Sequence, residues 1–216
     1  MVATPEEAVP WTPARIVSRS LAILREEGLR GYGVKLLGEL GYRRLLILGR
    51  SLDDPIPDLR ARIPLEFGIL DPGDLDAYLA FHADDPREQV ASRFPLGEVC
   101  FVARHEGRIV CANWVCHPGS HYVRYIRYDM PIAPDEVYLY DSYTHPDARG
   151  LGVAPALAVH VLRHYRGTGV RRAFTAVIPE NRANLRARAK SGFRVVGRMG
   201  YLGRGRRRRH FHRVRW

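Results

Sequence analysis

An α/β fold of the α+β kind is predicted by three stretches of this chain. Residues 136–144 form a β-branched and aromatic run that ends in a glycine-rich turn, and the chain then opens straight into residues 155–165, where apolar positions recur at helical spacing. Residues 99–104 and 109–117 are apolar runs joined by His105-Glu106-Gly107-Arg108, whose glycine suits a tight antiparallel hairpin. From residue 62 onward the order reads strand, helix, helix, strand, strand, strand, helix, strand, helix, strand, strand.

The elements follow from local chemistry. Pro5, Pro10 and Pro13 open the chain, with Pro13 suited to a first helical turn. Ile16, Leu21, Ile23 and Leu24 then give an apolar stripe stopped by Gly28, and residues 33–40 repeat the pattern up to Gly41. Residues 42–48 read as an extra strand before the breaker run Asp53-Asp54-Pro55-Ile56-Pro57. Residues 1–61 are therefore expected to form an N-terminal helical extension: a cover packed on the domain, or a dimerisation or membrane-surface element. Residues 62–216 form the main domain. Within it, residues 62–70 read as a strand, and Asp71-Pro72 starts an amphipathic helix over 73–82. A second helix covers about 86–93, strands are expected at 172–178, 194–202 and 208–215, and a short helix follows Asn181.

The turn Arg149-Gly150-Leu151-Gly152-Val153-Ala154 is the feature with chemistry in it. Gly150 and Gly152 remove Cβ atoms where backbone N–H groups must turn toward a ligand, and a helix's first turn favours anions. The spacing is neither G-x-G-x-x-G nor a Walker loop. Arg149, with Gly at plus three and Ala at plus five, resembles the R/Q-x-x-G-x-G/A coenzyme A signature of the GNAT superfamily of N-acyltransferases. A second segment resembles the same family's second motif, in which an Asn after a strand is followed eleven and twelve residues later by Gly-Phe. Here those residues are Asn181, Gly192 and Phe193. The resemblance covers roughly residues 62–216. It implies a mixed, mostly antiparallel central sheet of about seven strands with helices on both faces, and acetyl-CoA or another acyl-CoA as co-substrate. It also implies a small-molecule or peptide amine as acceptor, attacking directly in a ternary complex. The cofactor-binding residues it assigns are Tyr143, Thr144, Arg149, Gly150, Leu151, Gly152, Val153, Ala154 and Asn181.

Such a transfer needs a base for the amine, a donor for the developing oxyanion and an acid for the thiolate. The family often supplies that acid as a Tyr four residues before the Gly-Phe pair. Arg188 stands there instead, and an always-ionised guanidinium can stabilise a thiolate but is a poor proton donor. Asp141 and Glu136 are the catalytic base candidates, with Asp129 and His145 nearby. Asp141 and Glu136 have opposite parity, so on a regular strand they face opposite sides of the sheet unless a bulge intervenes. Each also has a structural reading: Asp141 as a hydrogen-bonded carboxylate, Glu136 as a solvated strand start. Tyr122, Tyr125, Tyr128, Tyr138, Tyr140 and Tyr143 either line a pocket or fill sheet contacts, and the segment 119–135 stands where an acceptor-binding insertion is expected.

Composition sets the remaining bounds. With 216 residues and 46% hydrophobic content, the chain can bury a sizeable core without staples. Cys100, Cys111 and Cys116 lack paired spacing and read as core thiols, and the nine histidines show no ligand spacing, so no metal is expected. The formal net charge of +11 suits capture of a polyanionic coenzyme. It also allows an alternative, a basic binding module contacting nucleic acid or an acidic partner, although no recognisable nucleic-acid motif supports that. No stretch has the length of a membrane span, and the start lacks a basic region followed by an apolar core, so a cytoplasmic location is expected.

Overall fold

The computed structural model describes residues 41–216, and the two helical stretches expected before Gly41 lie outside the described residues. The described chain runs β1 (Tyr42–Ser51), β2 (Glu66–Ile69), a 3-10 turn (Pro72–Asp74), α1 (Leu75–Phe81), α2 (Arg87–Ala91), β3 (Val99–His105) and β4 (Arg108–Cys116). It continues through β5 (Gly119–Val123), β6 (Tyr128–Ile132), β7 (Glu136–Thr144), a 3-10 turn (Pro146–Ala148), α3 (Val153–Tyr165) and β8 (Arg172–Val177). The last elements are α4 (Arg182–Lys190), β9 (Arg194–Leu202), a 3-10 turn (Gly205–Arg207) and β10 (Arg209–Val214). The chain divides into two units, Arg44–Tyr201 with His210–Trp216, and Met1–Arg43 with Leu202–Arg209. Within the described part of the smaller unit, the Gly203 N–H donates to the Gly41 carbonyl at 2.8 Å.

Eight strands form one sheet in the order β10-β9-β1-β8-β7-β4-β3-β2, and β5 and β6 form a separate two-stranded sheet. The strand expected in the N-terminal extension is longer than anticipated and lies inside the large sheet, antiparallel to β8. The reason is burial: Leu45, Ile47 and Leu48 are nearly inaccessible, which a free-standing extension would not allow. The hairpin expected at His105–Arg108 forms with Glu106 at φ 50° and Gly107 at φ 75°, the paired positive angles of a two-residue turn. The pairs β2/β3, β3/β4 and β4/β7 are antiparallel; β7/β8 is parallel.

Alternation along the central strands sends side chains to the two faces of the sheet, where they form three core clusters. Val137, Leu139 and Ala173 pack with Leu157, Val161 and Leu162 of α3, and with Phe193 just after α4. On the other face, Cys100, Val102 and Trp114 pack with Tyr78, Phe81 and Val90 from α1 and α2, and Tyr138 and Phe174 pack with Ile126, Met130 and Ile132 around the β5–β6 hairpin. Helices therefore cover both faces. All three cysteines are free and buried.

Candidate active site

Two irregularities open the sheet where β7 ends. Strands β7 and β8 are in register only over Glu136–Leu139 and Arg172–Thr175, after which β7 runs on to Thr144 and β8 ends at Val177. One residue later β7 bulges: Ala112 faces Tyr143 but Trp114 faces Tyr140, so two steps on β4 meet three on β7. Asp141 sits in this bulge at φ 43°, a left-handed angle uncommon for a non-glycine residue and frequent at functional sites. The Asn113 amide anchors it, donating to the Tyr140 carbonyl at 2.8 Å and the Trp114 carbonyl at 3.0 Å.

Beyond the bulge lies the glycine turn. Gly150 and Gly152 hold φ 76° and 81°, and Gly152 is the N-cap of α3, so the first-turn N–H groups of that helix open onto a cavity of about 590 Å³. Tyr143, Thr144, Arg149, Gly150, Gly152, Val153, Ala154 and Asn181 all line it, and the Leu151 side chain packs against the core. Arg186 and Lys190 from α4 line it too, and its lining holds three cations and no carboxylate. Free backbone donors, a helix N-terminus and three cations suit a diphosphate, and the volume is in the range of small-ligand sites. The Asn181 side-chain Oδ1 caps α4 by accepting from the Asn184 N–H at 3.0 Å, which starts the second lining helix at this point.

Arg188 reaches from α4 to Asn113 on β4, the residue that anchors the β7 bulge. It is 4% exposed, its Nη2 donates to Asn113 Oδ1 at 3.1 Å, and its guanidinium lies 5.7 Å from the Phe193 ring centre. No carboxylate pairs with it among the described residues, and burial pulls its pKa down to about 10.

The base candidates separate. Asp141 Oδ2 lies 2.6 Å from Arg93 Nη1, and Arg93 Nη2 lies 4.0 Å from Asp85. Asp85 is in turn 3.2 Å from His82 Nδ1 and accepts from the Tyr78 hydroxyl, which accepts from Trp114 Nε1. The His82 ring stacks on Tyr143 of the cradle with centres 4.0 Å apart. His82, Asp85 and Asp141 thus bring ligand-type atoms within 4.8 Å of one another, with the Arg93 charge among them. Glu136 is placed apart, at the opposite end of β7 and roughly 16 Å along the strand from Asp141. There it is 3.1 Å from Arg172 Nε, accepts from the Ala133 N–H, and lines an apolar pocket with His212 and Trp216. His145 is surface-exposed and accepts from the Asp147 N–H, and Asp129 is exposed on β6. Sequence reasoning did not single out His82, Asp85 or Arg93. Their partners are distant in the chain, and an isolated His-x-x-Asp on a polar helix end carries no signal.

A family model described as the acetyltransferase (GNAT) family matches residues 72–193. Among solved structures, the chain is similar to a GCN5-related N-acetyltransferase from Sphaerobacter thermophilus, at 20% identity and TM-score 0.51 over 77% of this chain and 54% of that one. It is similar to an acetyltransferase from the GNAT family from Colwellia psychrerythraea, at 16% identity and TM-score 0.52 over 85% and 70%. A GNAT-family structure from Novosphingobium aromaticivorans matches at 19% identity and TM-score 0.50 over 71% and 60%. The chain therefore spans 60% of the Novosphingobium protein and 54% of the Sphaerobacter one, and at these identities the likeness establishes fold. No curated protein matches it. No helix among the described residues is long and apolar enough to cross a membrane. The family model spans more than half of the sequence, from the turn before α1 to the residue after the Gly192 stop, and on that ground the chain belongs to the GNAT family of acetyltransferases.

Proposed function

We propose that this chain transfers an acetyl group from coenzyme A to a primary amine of a small molecule or peptide, by direct attack in a ternary complex. Family membership implies acyl transfer from coenzyme A to an amine. The observation that carries the finer reading is the junction of two spaces: a cationic cradle at the start of α3, and a parted sheet whose far side holds an acid–base cluster. When bound, acetyl-CoA supplies the thioester carbonyl and the leaving thiolate.

The residues divide the work by position. First-turn N–H groups of α3, with Arg149, Arg186 and Lys190, hold the diphosphate. The gap between β7 and β8 exposes backbone groups that β8 would otherwise pair, leaving donors for developing negative charge. Asp141, held at the bulge by Arg93, orients the incoming amine and accepts its proton. From there the proton passes on to His82, whose ring Asp85 orients and whose ligand atom lies within 4.8 Å of the Asp141 carboxylate. Arg188 offers its positive charge to the thiolate in place of the usual phenol, and the thiolate takes its proton from solvent.

The test is acetyl transfer to a panel of amines, read as thiol release, for the wild type and for Asp141→Asn, His82→Gln and Glu136→Gln. Asp141→Asn and His82→Gln should each lower kcat by at least about tenfold, because general-base help is typically worth roughly a hundredfold or more. Equal losses in Glu136→Gln would remove the bulge cluster from the mechanism.

A further inference from the structure

A second cluster lies on the face of the sheet opposite α3, outside the machinery described above. Glu98 precedes β3, Cys116 ends β4 and His121 is in β5. Cys116 Sγ is 2.9 Å from Glu98 Oε1 and 3.0 Å from His121 Nδ1, and His121 Nδ1 is 3.8 Å from Glu98 Oε1. Cys116 is 4% exposed, and the Glu98 and His121 side chains are 13% and 18% exposed. The Tyr140 hydroxyl donates to the other Glu98 oxygen, fixing which carboxylate oxygen faces the thiol.

We propose that Glu98, Cys116 and His121 form a binding site for one divalent metal ion of borderline softness, Zn²⁺ being the natural probe, with a fourth position left for water or another ligand. The ligand set argues for this class, since thiolate and imidazole prefer zinc-like ions over magnesium or calcium. The geometry agrees. Bonds of about 2.0–2.1 Å to N and O and about 2.3 Å to S require tetrahedral edges of roughly 3.3–3.6 Å. The observed edges of 2.9, 3.0 and 3.8 Å are each within about 0.4–0.7 Å of these values, and outward motion of Sγ with a small closing of the His121–Glu98 edge would reach them.

Charge agrees as well, because thiolate and carboxylate together neutralise a divalent ion in a largely buried place. In the metal-free protein Sγ donates its proton to Glu98 Oε1. On binding, that proton leaves to solvent and the S–metal bond forms. The Tyr140 hydroxyl supplies the outer hydrogen bond that metal-bound carboxylates ordinarily have. The neighbouring trio His82, Asp85 and Asp141 is equally close-set, but the Arg93 guanidinium already stands 2.6 Å from Asp141 as its cation. Among the described residues the ion pair of Glu98 is with His121, a member of the trio itself, and not with an arginine or lysine.

The three ligands come from separate elements, so no sequence spacing announces them. A bound ion would tie the two-stranded β5–β6 sheet to β3 and β4 beside Tyr140. The proposal is independent of the acyltransferase reading and is tested without turnover.

The experiment adds Zn²⁺, and in parallel Co²⁺, to the chelator-stripped full chain, and reads stoichiometry by competition with a chromophoric chelator and the Co²⁺ electronic spectrum. The expected result is one ion per chain, with a thiolate-to-cobalt charge-transfer band that disappears in Cys116→Ser. His121→Gln, whose side chain is partly exposed and less exposed to misfolding, should weaken Zn²⁺ binding at least tenfold while keeping the wild-type circular dichroism. Tyr140→Phe should weaken it by about tenfold or more, as loss of an outer hydrogen bond does. Absence of saturable binding at micromolar metal overturns the proposal. So does binding that survives both Cys116→Ser and His121→Gln unchanged.

Discussion

Gly192 ends α4 at φ 83°, and a Cβ built there would fall 1.7 Å from Arg50 Nη1 and 2.9 Å from Cζ. A clash with the end of a long side chain is ordinarily cheap, because the chain swings away. Here it is not. Arg50 is 4% exposed and donates to the Ser191 carbonyl at 2.8 Å and to the carbonyls of Asp54 and Pro55, so it ties β1 to the C-terminal end of α4. Burial already pulls its pKa down, which means that its charge is held in the fold by these acceptors. Gly192→Ala should therefore cost about 1–2 kcal/mol for the left-handed backbone and about 1.5–3 kcal/mol for at least one broken charged hydrogen bond. The sum, about 3–5 kcal/mol, should lower Tm by roughly 6–20 °C in a domain of this size. Gly97→Ala is the control, since Gly97 has φ 75° but nothing within 4 Å of the added Cβ. It should show the backbone cost alone. Thermal unfolding followed by circular dichroism decides between them: equal shifts for the two variants would refute the claim that Arg50 enforces the glycine.

Arg188→Met separates charge from packing. The fall of the Arg188 pKa to about 10 reflects a burial cost of roughly 3 kcal/mol, while losing the donor to Asn113 Oδ1 costs about 1–3 kcal/mol, so Tm should stay within a few degrees as thiol release falls at least about tenfold. Parallel loss of both would make Arg188 a structural residue. His160, stacked on Phe67 at 4.9 Å, has its pKa lowered by burial and then by His164 and Arg163. The folded state therefore binds fewer protons than the unfolded one between that lowered value and the ordinary 6.5. The resulting stability is present above 6.5 and lost as pH falls through the folded value. Urea unfolding across about pH 5 to 7 should show a flatter slope in His160→Phe than in the wild type, and an unchanged slope would contradict it.

What the sequence disclosed was local. The strand–turn–helix at Gly150 and Gly152, the Glu106-Gly107 turn and the Asn181 cap each depend on residues within a few positions of one another, and each formed where its chemistry placed it. What it hid was set by distant partners. The strand at Tyr42 joined the sheet because β8 lies beside it. The insertion at 119–135 became a hairpin whose Tyr128 meets His212 and whose Ile126 carbonyl faces His210. Parity alone put Asp141 and Glu136 on opposite faces, whereas the bulge and the strand's length separate them by position. Of the six clustered tyrosines, Tyr138 is core, Tyr143 lines the cradle and Tyr122 faces solvent, so both readings hold for different members.

The central claim is that the turn at Gly150–Gly152 holds coenzyme A, and titration calorimetry of acetyl-CoA against the wild type and Gly152→Glu tests it most directly. The wild type should bind one equivalent, and at a hundred times Kd the ligand should add about 2.7 kcal/mol of stability, raising Tm by roughly 5–10 °C. Gly152→Glu, which puts a side chain and a negative charge at the N-cap of α3, should show neither heat nor shift. A wild type that shows no heat and no shift at millimolar acetyl-CoA, or a Gly152→Glu variant that binds as the wild type does, would contradict the account.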